Sequence, residues 1–458
     1  MVRAGGTRME EPSIRRALRA RYVFPVTSPP IPDGVVTIQD GKIVGVGRLP
    51  ADGPGDMVVE DLGNAAILPG LVNAHTHLEF SDLAAPLGEP GMGFVDWVRR
   101  VIDYRRQSES QPDSAVEKGL QESVRCGTVA LGEIAQPGWP TKAFADAPIQ
   151  STVFLELIGP TRQRVGPAFD LARQHCAIAK QRVAGAELGW LGLSEAVPQR
   201  HGWGTASLSP SHPLPSPSHP VLLGLSPHAS YTVHPDLLGE IVGLSQAASV
   251  PLAFHLAESR EEMNLLRSGS GPLREFLETL DAWEPELVRP GTRPLDYLHR
   301  LAPAWRTLII HGNYLDDEEI RYLGEKSGRM AVVYCPRTHA WFRHAPYPLE
   351  KMLAAGATVA LGTDSRASSP DLSVLVEMRR VVEEHPSVPW SDVLALGTIR
   401  GAIALGRHQQ TGSLGPGKFA DLAVVALPNR DTVEPHELLF HSDLPVVATM
   451  SRGQRVFG

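Results

Sequence analysis

Eight short apolar segments, separated by stretches of helical character, run through the middle of this sequence. Continuous apolar segments of this length are typical of parallel strands that are buried on both faces of a sheet. Eight parallel strands alternating with helices close into a (β/α)8 barrel, and such a barrel can form one large domain of a 458-residue chain. We therefore predict an α/β protein built on a TIM-like barrel. The eight segments are residues 67–77, 127–133, 151–156, 221–228, 250–258, 307–311, 330–337 and 358–364.

Most of these segments end in a side chain that can bind a metal ion or transfer a proton. In (β/α)8 barrels the carboxyl ends of the strands meet at one face, and that face carries the active site. A chance scatter of buried polar residues would not place one at nearly every strand exit. The strand-exit residues are His77, Glu133, Glu156, His228, His255, His311 and Asp364.

Two histidines, His75 and His77, stand one residue apart at the end of the first segment. Side chains alternate between the faces of a strand, so both imidazoles project to the same side and can reach one metal ion. A lone histidine such as His255 is normally a core residue, but here several candidate ligands converge on one barrel mouth. Three imidazoles and one carboxylate suit Zn²⁺ or Fe²⁺. We predict that His75, His77, His255 and Asp364 bind one divalent metal, with zinc favoured and iron as the alternative.

The absence of a lysine from the fourth segment bears on the number of metal ions per chain. Binuclear barrel hydrolases commonly bridge two metal ions with a carbamylated lysine on the fourth strand. The fourth segment of this chain has no lysine and carries His228 instead, and no lysine stands at any other predicted strand exit. We therefore predict a single metal per chain.

A metal site of this kind supports hydrolysis. A divalent ion lowers the pKa of a bound water from about 15.7 toward about 7, which provides hydroxide at neutral pH. Asp364 can accept the proton of the water, and His311 can hydrogen-bond the nucleophile or the developing oxyanion. Glu258 can carry a proton to a substrate ring nitrogen, provided that the strand bends into its loop there, since it stands three residues after His255. Otherwise Glu258 is a surface glutamate.

Residues 93–102 follow the first segment and have helical spacing, with Val95, Val98 and Ile102 on one face. We predict that Phe94 and Trp97 pack in the core rather than contact a substrate, although they follow the strand exit where a lid often lies.

The two ends of the chain have β character. The pair Asp40-Gly41 separates two apolar stretches and is typical of a hairpin turn. We predict that residues 20–66 and 408–458 form one small composite β-sandwich domain, and that residues 67–407 form the barrel domain. Residues 203–220, rich in serine, proline and histidine, are predicted to be an insertion without regular structure.

Composition excludes several classes of partner. The net charge is −8, from 43 basic and 51 acidic side chains, and no long basic block suggests binding to nucleic acid or to a membrane surface. The three cysteines have no CxxC spacing, and the first 19 residues have no apolar core of a signal peptide. We expect a soluble cytoplasmic enzyme with a small-molecule substrate; the sequence leaves a homodimer open.

Five motifs of this sequence resemble those of the amidohydrolase superfamily. They are residues 69–77, 226–231, 255–258, 311–312 and 361–365. The likeness is strongest to the mononuclear aminohydrolases and chlorohydrolases, which include S-adenosylhomocysteine, guanine and aminodeoxyfutalosine deaminases and triazine hydrolases. This resemblance implies that His228 contacts the substrate, Glu258 shuttles protons and His311 activates water. Residues 75–81 and 335–339 resemble the aminodeoxyfutalosine deaminase-like members.

The resulting hypothesis is a metal-dependent deaminase of a purine-like or nucleoside-like ring, in which metal hydroxide attacks the amino-bearing carbon and ammonia leaves. Glu133, Glu156 and Arg337 are candidates for substrate binding, or else form strand-end salt bridges. A chlorohydrolase or a cyclic-amide hydrolase would use the same metal site. A barrel scaffold without catalysis is disfavoured, because such proteins usually lack the metal ligands that this chain retains.

Overall fold

A computed structural model describes residues 15–53, 55–108, 112–187 and 220–458 of the chain. The predicted insertion at 203–220 lies outside the described residues, except for its last residue. Within the described ranges, no helix is both long enough and apolar enough to cross a membrane.

One eight-stranded sheet combines both ends of the chain, which confirms the predicted composite domain. Its strands follow the order β16-β15-β14-β5-β1-β2-β3, and β4 pairs with β1. The hairpin between β2 and β3 turns at Asp40 and Gly41, whose φ angles of 51° and 73° are those of a type I′ turn. The strands are β1 (Arg16–Val23), β2 (Ile31–Gln39), β3 (Lys42–Gly47), β4 (Val58–Asp61), β5 (Ala65–Pro69), β14 (Leu422–Ala426), β15 (Val446–Ser451) and β16 (Gln454–Phe457).

Eight parallel strands form the second sheet in sequential order from β6 to β13, which confirms the predicted barrel. A parallel bridge between Thr76 and Asp364 joins its first and last strands, so the barrel closes beside two predicted metal ligands. The strands are β6 (Leu71–Thr76), β7 (Thr128–Ala135), β8 (Gln150–Leu157), β9 (Leu222–Pro227), β10 (Leu252–Leu256), β11 (Thr307–His311), β12 (Met330–Tyr334) and β13 (Thr358–Leu361).

The first apolar segment of the sequence is divided at Gly70 between the two sheets. β5 pairs with β14 of the composite sheet, whereas β6 pairs with β7 of the barrel, so the barrel begins at Leu71 rather than at residue 67. A Cβ atom at Gly70 would lie 2.3 Å from the side chain of Val129. The Val129 side chain packs so close to residue 70 that only glycine fits at this position between the two sheets.

Helices cover the outside of the barrel and extend over its carboxyl face. A short 3₁₀ turn, Leu78–Phe80, follows β6, and three helices (α6 to α8) lie between β10 and β11. The helices are α1 (Phe94–Ser108), α2 (Pro112–Arg125), α3 (Thr141–Asp146), α4 (Arg162–Glu187), α5 (Pro235–Ala248), α6 (Arg260–Ser268), α7 (Pro272–Thr279), α8 (Pro294–Leu301), α9 (Asp317–Glu325), α10 (Pro336–Trp341), α11 (Leu349–Ala354), α12 (Val374–Glu384), α13 (Trp390–Leu396), α14 (Ile399–Ala404) and α15 (His436–Phe440).

The barrel strands have two buried faces. Along β11, Leu308 and Ile310 belong to a cluster with other inward-facing residues, whereas Ile309 packs in the layer between the barrel and its helices. This alternation explains why the segments read as continuous apolar runs. Because apolar side chains fill the interior, a ligand has access to the strand ends rather than to the middle of the barrel.

Candidate metal centre

Three histidines from two strands converge at the carboxyl face of the barrel. His75 and His77 come from the end of β6 and His255 comes from β10, and each offers a ring nitrogen within 4.8 Å of the other two. All three residues are buried, with exposed fractions of 0%, 8% and 3%. The structure thus brings together the three imidazoles that the sequence analysis selected as ligands.

The hydrogen-bonding state of these rings fits a metal site. Nδ1 of His255 lies 3.0 Å from the carbonyl oxygen of His228, an arrangement that leaves Nε2 of His255 free to bind an ion. Both ring nitrogens of His75 and Nδ1 of His77 are buried without any hydrogen-bond partner. Buried polar atoms are nearly always paired, so these atoms indicate a missing ligand.

Burial also keeps the imidazoles in the form that binds metal. Burial, together with the neighbouring His75, lowers the pKa of His77 to about 3. The pKa of His255 is lowered well below its usual value, by burial and by the neighbouring histidines. Both rings are neutral at physiological pH, and a neutral imidazole is the form that ligates a metal ion.

Asp364 completes the donor set. Its Oδ1 atom lies 3.6 Å from Nε2 of His75 and 3.8 Å from Nε2 of His77, which is close to the spacing of about 3.4 Å between ligands of a tetrahedral zinc ion. Burial opposes ionisation of Asp364, but His75, His77 and His311 hold its pKa below the usual range. The hydroxyl of Ser368 donates a hydrogen bond of 2.9 Å to its other carboxylate oxygen. A buried site with three imidazoles and one anionic carboxylate fits a divalent metal.

Left-handed backbone conformations occur at three of the strand ends. The φ angles are 53° at Ala257, 70° at His311 and 55° at Asp364. Such conformations in non-glycine residues cost about 1–3 kcal/mol and cluster at functional sites. At Ala257 the turn follows directly after β10, so Glu258 reaches the cavity although strand alternation would point it away from the side of His255.

Glu258 and His311 form a close pair beside the metal ligands. Nε2 of His311 lies 3.3 Å from Oε1 of Glu258, and both residues are buried. Burial, and then the charge of Asp364, raises the pKa of Glu258 well above its usual value. Burial lowers the pKa of His311 to about 3, against the attraction of Asp364. The raised pKa favours the protonated carboxyl group of Glu258, next to an imidazole that is neutral at physiological pH, and such a pair can deliver a proton.

A cavity of about 270 Å³ opens onto this pair and onto three of the candidate metal ligands, His77, His255 and Asp364. Much of its wall is apolar and comes from two helices, α1 and α7. Phe94 and Trp97 of α1 belong to or pack against the core, as predicted, but they also line this cavity; Nε1 of Trp97 donates a 3.0 Å hydrogen bond to the carbonyl oxygen of Ala367. The sequence analysis missed the wall formed by Leu273, Phe276 and Leu277 of α7, because nothing in a helical pattern shows where that helix folds back.

Glu156 and His228 also line the cavity. The side chain of Glu156 is 1% exposed, its Oε1 has no hydrogen-bond partner, and this atom lies 3.9 Å from Nε2 of His228. Burial by itself would raise the pKa of Glu156, but Arg105, His228 and His77 lower it to about 2. Arg105 of α1, which the sequence analysis did not select, lies 3.5 Å from this carboxylate and also pairs with Glu79 at 2.7 Å.

Glu133 was predicted to bind substrate, but the structure gives its carboxylate another task. It accepts hydrogen bonds from the hydroxyl of Thr76 and from the backbone N–H of Leu78, at 2.9 Å for the latter. Glu133 is buried and does not line the cavity that holds the metal ligands. Its carboxylate therefore fixes the chain on both sides of His77 rather than contacting a ligand there.

Arg337 was also predicted to bind substrate, and the structure corrects this prediction. Its Nε donates to Oε1 of the fully buried Glu377 at 2.6 Å, and its Nη2 lies 2.8 Å from Oδ1 of Asp371. Arg337 is absent from the cavity wall. Its guanidinium ties the start of α10 to α12, which is the strand-end salt bridge that the sequence had left as the alternative.

This role predicts a loss of stability on substitution. Arg337→Met should lower the free energy of unfolding by about 3–5 kcal/mol, because it leaves Glu377 buried without its cation. The control is Arg380→Met on α12, the helix that carries Glu377, which removes an arginine paired with Glu383 and Glu384 at the surface. It should lower the free energy of unfolding by about 1 kcal/mol or less. Urea titrations of both variants measure the difference. A rise in KM without a loss of stability in Arg337→Met would restore the substrate-binding role.

Together the fold and the site define a (β/α)8 barrel with a histidine-rich metal centre at its carboxyl face. The chain belongs to the amidohydrolase family, whose model matches residues 217–456. This membership agrees with the resemblance that the sequence motifs indicated.

Three known proteins show the extent of the similarity. A 5-methylthioadenosine/S-adenosylhomocysteine deaminase of Moorella thermoacetica is 27% identical over 429 residues, covering 91% of this chain and 86% of that protein. Aminofutalosine deaminase of Helicobacter pylori, solved with methylthio-coformycin, superposes with a TM-score of 0.75 at 21% identity, over 96% of this chain and 100% of that one. A variant of atrazine chlorohydrolase from Arthrobacter aurescens, solved with zinc and atraton, gives a TM-score of 0.71 at 20% identity over 96% of this chain and 95% of that one. The two structural likenesses establish the shared fold.

Proposed function

We propose that this protein is a metal-dependent hydrolytic deaminase of an aminated heteroaromatic ring, purine-like or nucleoside-like, with release of ammonia. The observation that carries the proposal is the cluster of four candidate metal ligands, three of which line one cavity together with the proton-donating pair Glu258 and His311. The names of the deaminase relatives support a nucleoside-like substrate.

In this proposal His75, His77, His255 and Asp364 hold one divalent ion, zinc in preference to iron. Such an ion, when bound, lowers the pKa of a water molecule from about 15.7 toward about 7. The residues are suited to one ion because the histidine donors lie within a single 4.8 Å group and the carboxylate of Asp364 faces two of them.

The protein's own side chains handle the protons. Asp364 is ionised and accepts the proton of the attacking water, while the hydroxyl of Ser368 keeps its carboxylate oriented. Glu258 is protonated and donates to a ring nitrogen next to the amino-bearing carbon, which makes that carbon more electrophilic. After the attack, Glu258 takes the proton of the new hydroxyl group and passes it to the amino group, the C–N bond breaks as the C=O bond forms, and ammonia leaves. The water proton held by Asp364 then passes through solvent to Glu258, which restores both carboxyl groups. His311, neutral and buried, hydrogen-bonds the attacking oxygen.

Substrate recognition combines polar and apolar contacts. The unpartnered Oε1 of Glu156 accepts a hydrogen bond from a donor on the substrate, and His228 contacts the ring from the adjacent strand end. The apolar walls of α1 and α7 cover the remainder of the ligand and exclude water. A volume of about 270 Å³ lies near the lower limit of about 300 Å³ for typical small-molecule sites, which favours a compact substrate.

Release of chloride from a triazine-like ring is the second candidate reaction. Hydrolysis of a cyclic amide would use the same metal site. The likeness to atrazine chlorohydrolase and the apolar cavity walls favour the chloride reaction over the cyclic-amide one. The leaving group separates the candidates, because the proton that Glu258 provides is needed for ammonia but not for chloride to depart. A non-catalytic scaffold is disfavoured by the retention of the full donor set.

The proposal extends to the setting of the enzyme. None of the three cysteines, Cys126, Cys176 and Cys335, forms a disulfide bond, which supports a reducing cytoplasmic compartment. The domain division at residues 20–66 plus 408–458 and 67–407 remains our proposal, with the boundary near Gly70.

An ammonia-release assay tests the function. Zinc-loaded protein incubated with adenosine, 5′-methylthioadenosine, S-adenosylhomocysteine, guanine and an aminated futalosine should release ammonia from at least one compound. Treatment with a chelator should abolish the release, and added zinc should restore it. Chloride release from a chlorotriazine, without ammonia release from any aminated ring, would favour the second candidate instead.

A further inference from the structure

Glu262 is a completely buried glutamate that lies outside the cavity wall but next to the cavity's proton donor. It stands in the first turn of α6, where the hydroxyl of the N-cap residue Ser259 accepts a 3.1 Å hydrogen bond from its backbone N–H. A glutamate at this helix position usually bonds back to the N-cap residue alone. Here the carboxylate reaches beyond the helix and contacts two segments that carry site residues.

One carboxylate oxygen of Glu262 binds the backbone of Glu258. Its Oε2 accepts a 2.8 Å hydrogen bond from the N–H of Glu258, directly after the left-handed residue Ala257. On the other side, the carbonyl oxygen of Glu258 accepts a 2.8 Å hydrogen bond from Nδ2 of Asn313. The peptide groups on both sides of Glu258 are therefore held, in a segment whose conformation an L-residue does not adopt unaided.

The second carboxylate oxygen binds the loop that follows β9. Its Oε1 accepts a 2.6 Å hydrogen bond from the hydroxyl of Ser230, which is fully buried. The same loop contains His228, whose carbonyl oxygen accepts hydrogen bonds from the backbone N–H of His255 at 2.8 Å and from its Nδ1 at 3.0 Å. Glu262 thus joins the segment that places the proton donor to the loop that orients a metal ligand.

No lysine, arginine or histidine among the described residues lies within ion-pair distance of Glu262. Burying a carboxylate without a cation costs folding free energy. The location of Glu262 between two segments that carry site residues explains why a glutamate is present there. We propose that Glu262 is a positioning residue for the deamination proposed above, on which this inference rests. It holds the backbone of Glu258 in the position from which the Glu258 carboxyl group donates its proton. Its effect is on the rate of the chemical step rather than on metal or substrate binding.

The chain provides a matched control at Glu319. This residue is also buried, also stands in the first turn of a helix, α9, and accepts a 2.8 Å hydrogen bond from the N–H of its N-cap residue Asp316. Its other carboxylate oxygen accepts from the N–H of Leu295 at 3.2 Å. Glu319 does not line the cavity, so the two glutamates share a helix position and differ in what they hold, and Glu319 also lies 3.9 Å from Nη2 of Arg293.

The experiment compares Glu262→Met and Glu262→Gln with Glu319→Met, using the best substrate of the ammonia-release panel. Glu262→Met should lose about 100-fold in kcat, because displacement of a catalytic group by about 1 Å has an effect of that order. Its zinc content and KM should stay near the wild-type values. Glu262→Gln should recover most of the loss, since its amide oxygen can accept from Glu258 N–H while its amide nitrogen donates to the hydroxyl of Ser230. Glu319→Met should lose comparable thermal stability but keep its kcat.

Equal kcat losses in Glu262→Met and Glu319→Met would overturn the positioning role, and so would a loss of Glu262→Met activity that comes entirely from lost zinc. Crystal structures of both variants provide a readout that does not need turnover: the Glu258 backbone should shift in Glu262→Met only, and an unshifted Glu258 counts against the inference. If the wild-type protein releases no ammonia from any compound, the proposed function fails, and the structures still decide whether Glu262 holds Glu258.

Discussion

Replacing Asp364 with asparagine is expected to lower kcat for ammonia release by about 1000-fold, the middle to upper part of the range for loss of a general acid–base group. The amide keeps the size and shape of the side chain, but it is neutral and does not accept the proton of the attacking water. It also has one acceptor oxygen in place of the two that face the histidine ligands and the hydroxyl of Ser368. It is also a weaker ligand, so zinc must be present in excess. Steady-state kinetics at saturating zinc, with metal content measured on the same samples, test this expectation.

Asp421→Asn is the matched control for this substitution. Asp421 is also buried, accepts a 2.7 Å hydrogen bond from Gln150 and a 2.8 Å one from the N–H of Arg452, and lies at the composite sheet rather than in the cavity. Its variant should lose stability and keep its kcat. If Asp364→Asn, loaded with zinc, kept more than about a tenth of the wild-type kcat, Asp364 could not be the proton acceptor.

Replacing Glu258 with glutamine is the second substitution with a large expected effect. It should lower kcat by about 100- to 10,000-fold, since the amide retains the size of the side chain but has no proton to donate to the substrate ring. Zinc content should be unchanged, because Glu258 is not one of the four proposed ligands. Because burial raises the pKa of Glu258 and only the protonated carboxyl group can donate, wild-type activity should fall as the pH rises through that pKa. The residual activity of Glu258→Gln should lack this alkaline decline.

Glu319→Gln serves as the control for Glu258→Gln, because it makes the same chemical change at a buried glutamate outside the cavity. It should retain the wild-type kcat and the wild-type pH profile. The result that would contradict the role of Glu258 is a variant with normal kcat for ammonia release. Normal chloride release combined with lost ammonia release would instead show that the site can expel two different leaving groups.

The metal-binding residues could be chosen from the sequence because their positions follow from local rules. Strand alternation places His75 and His77 on one side, and the barrel topology brings the end of β10, with His255, to the same face. The hairpin at Asp40 and Gly41 is equally local, since its two left-handed residues are a property of the turn itself.

The contacts of the strand-end carboxylates could not be predicted from local sequence rules. Glu133 and Glu156 come from neighbouring strands, and the sequence treats them alike. In the structure the carboxylate of Glu133 is taken up by Thr76 and Leu78, whereas Oε1 of Glu156 faces the cavity without a partner. The choice depends on which segment lies opposite each strand end, and no spacing within the chain contains that information.

The same limit applies to the arginines. Arg337 follows a strand end and pairs with Glu377, while Arg105, from the last turn of α1, reaches the carboxylate of Glu156. The wall from α7 was likewise not predictable, because nothing in the helical pattern of the segment between β10 and β11 indicates that α7 lies against the cavity.

By itself, the sequence determined the barrel and the histidine ligands, because hydrophobic alternation and strand-end position repeat along the chain and can be read locally. The tertiary structure alone decided which acidic and basic side chains face the cavity and which stabilise the fold. It also showed that the chain turns at Ala257, so that Glu258 lines the cavity, and that Glu262 accepts a hydrogen bond from the backbone N–H of Glu258. The physical reason is that a buried polar group must find its partner in whatever segment the completed fold places beside it.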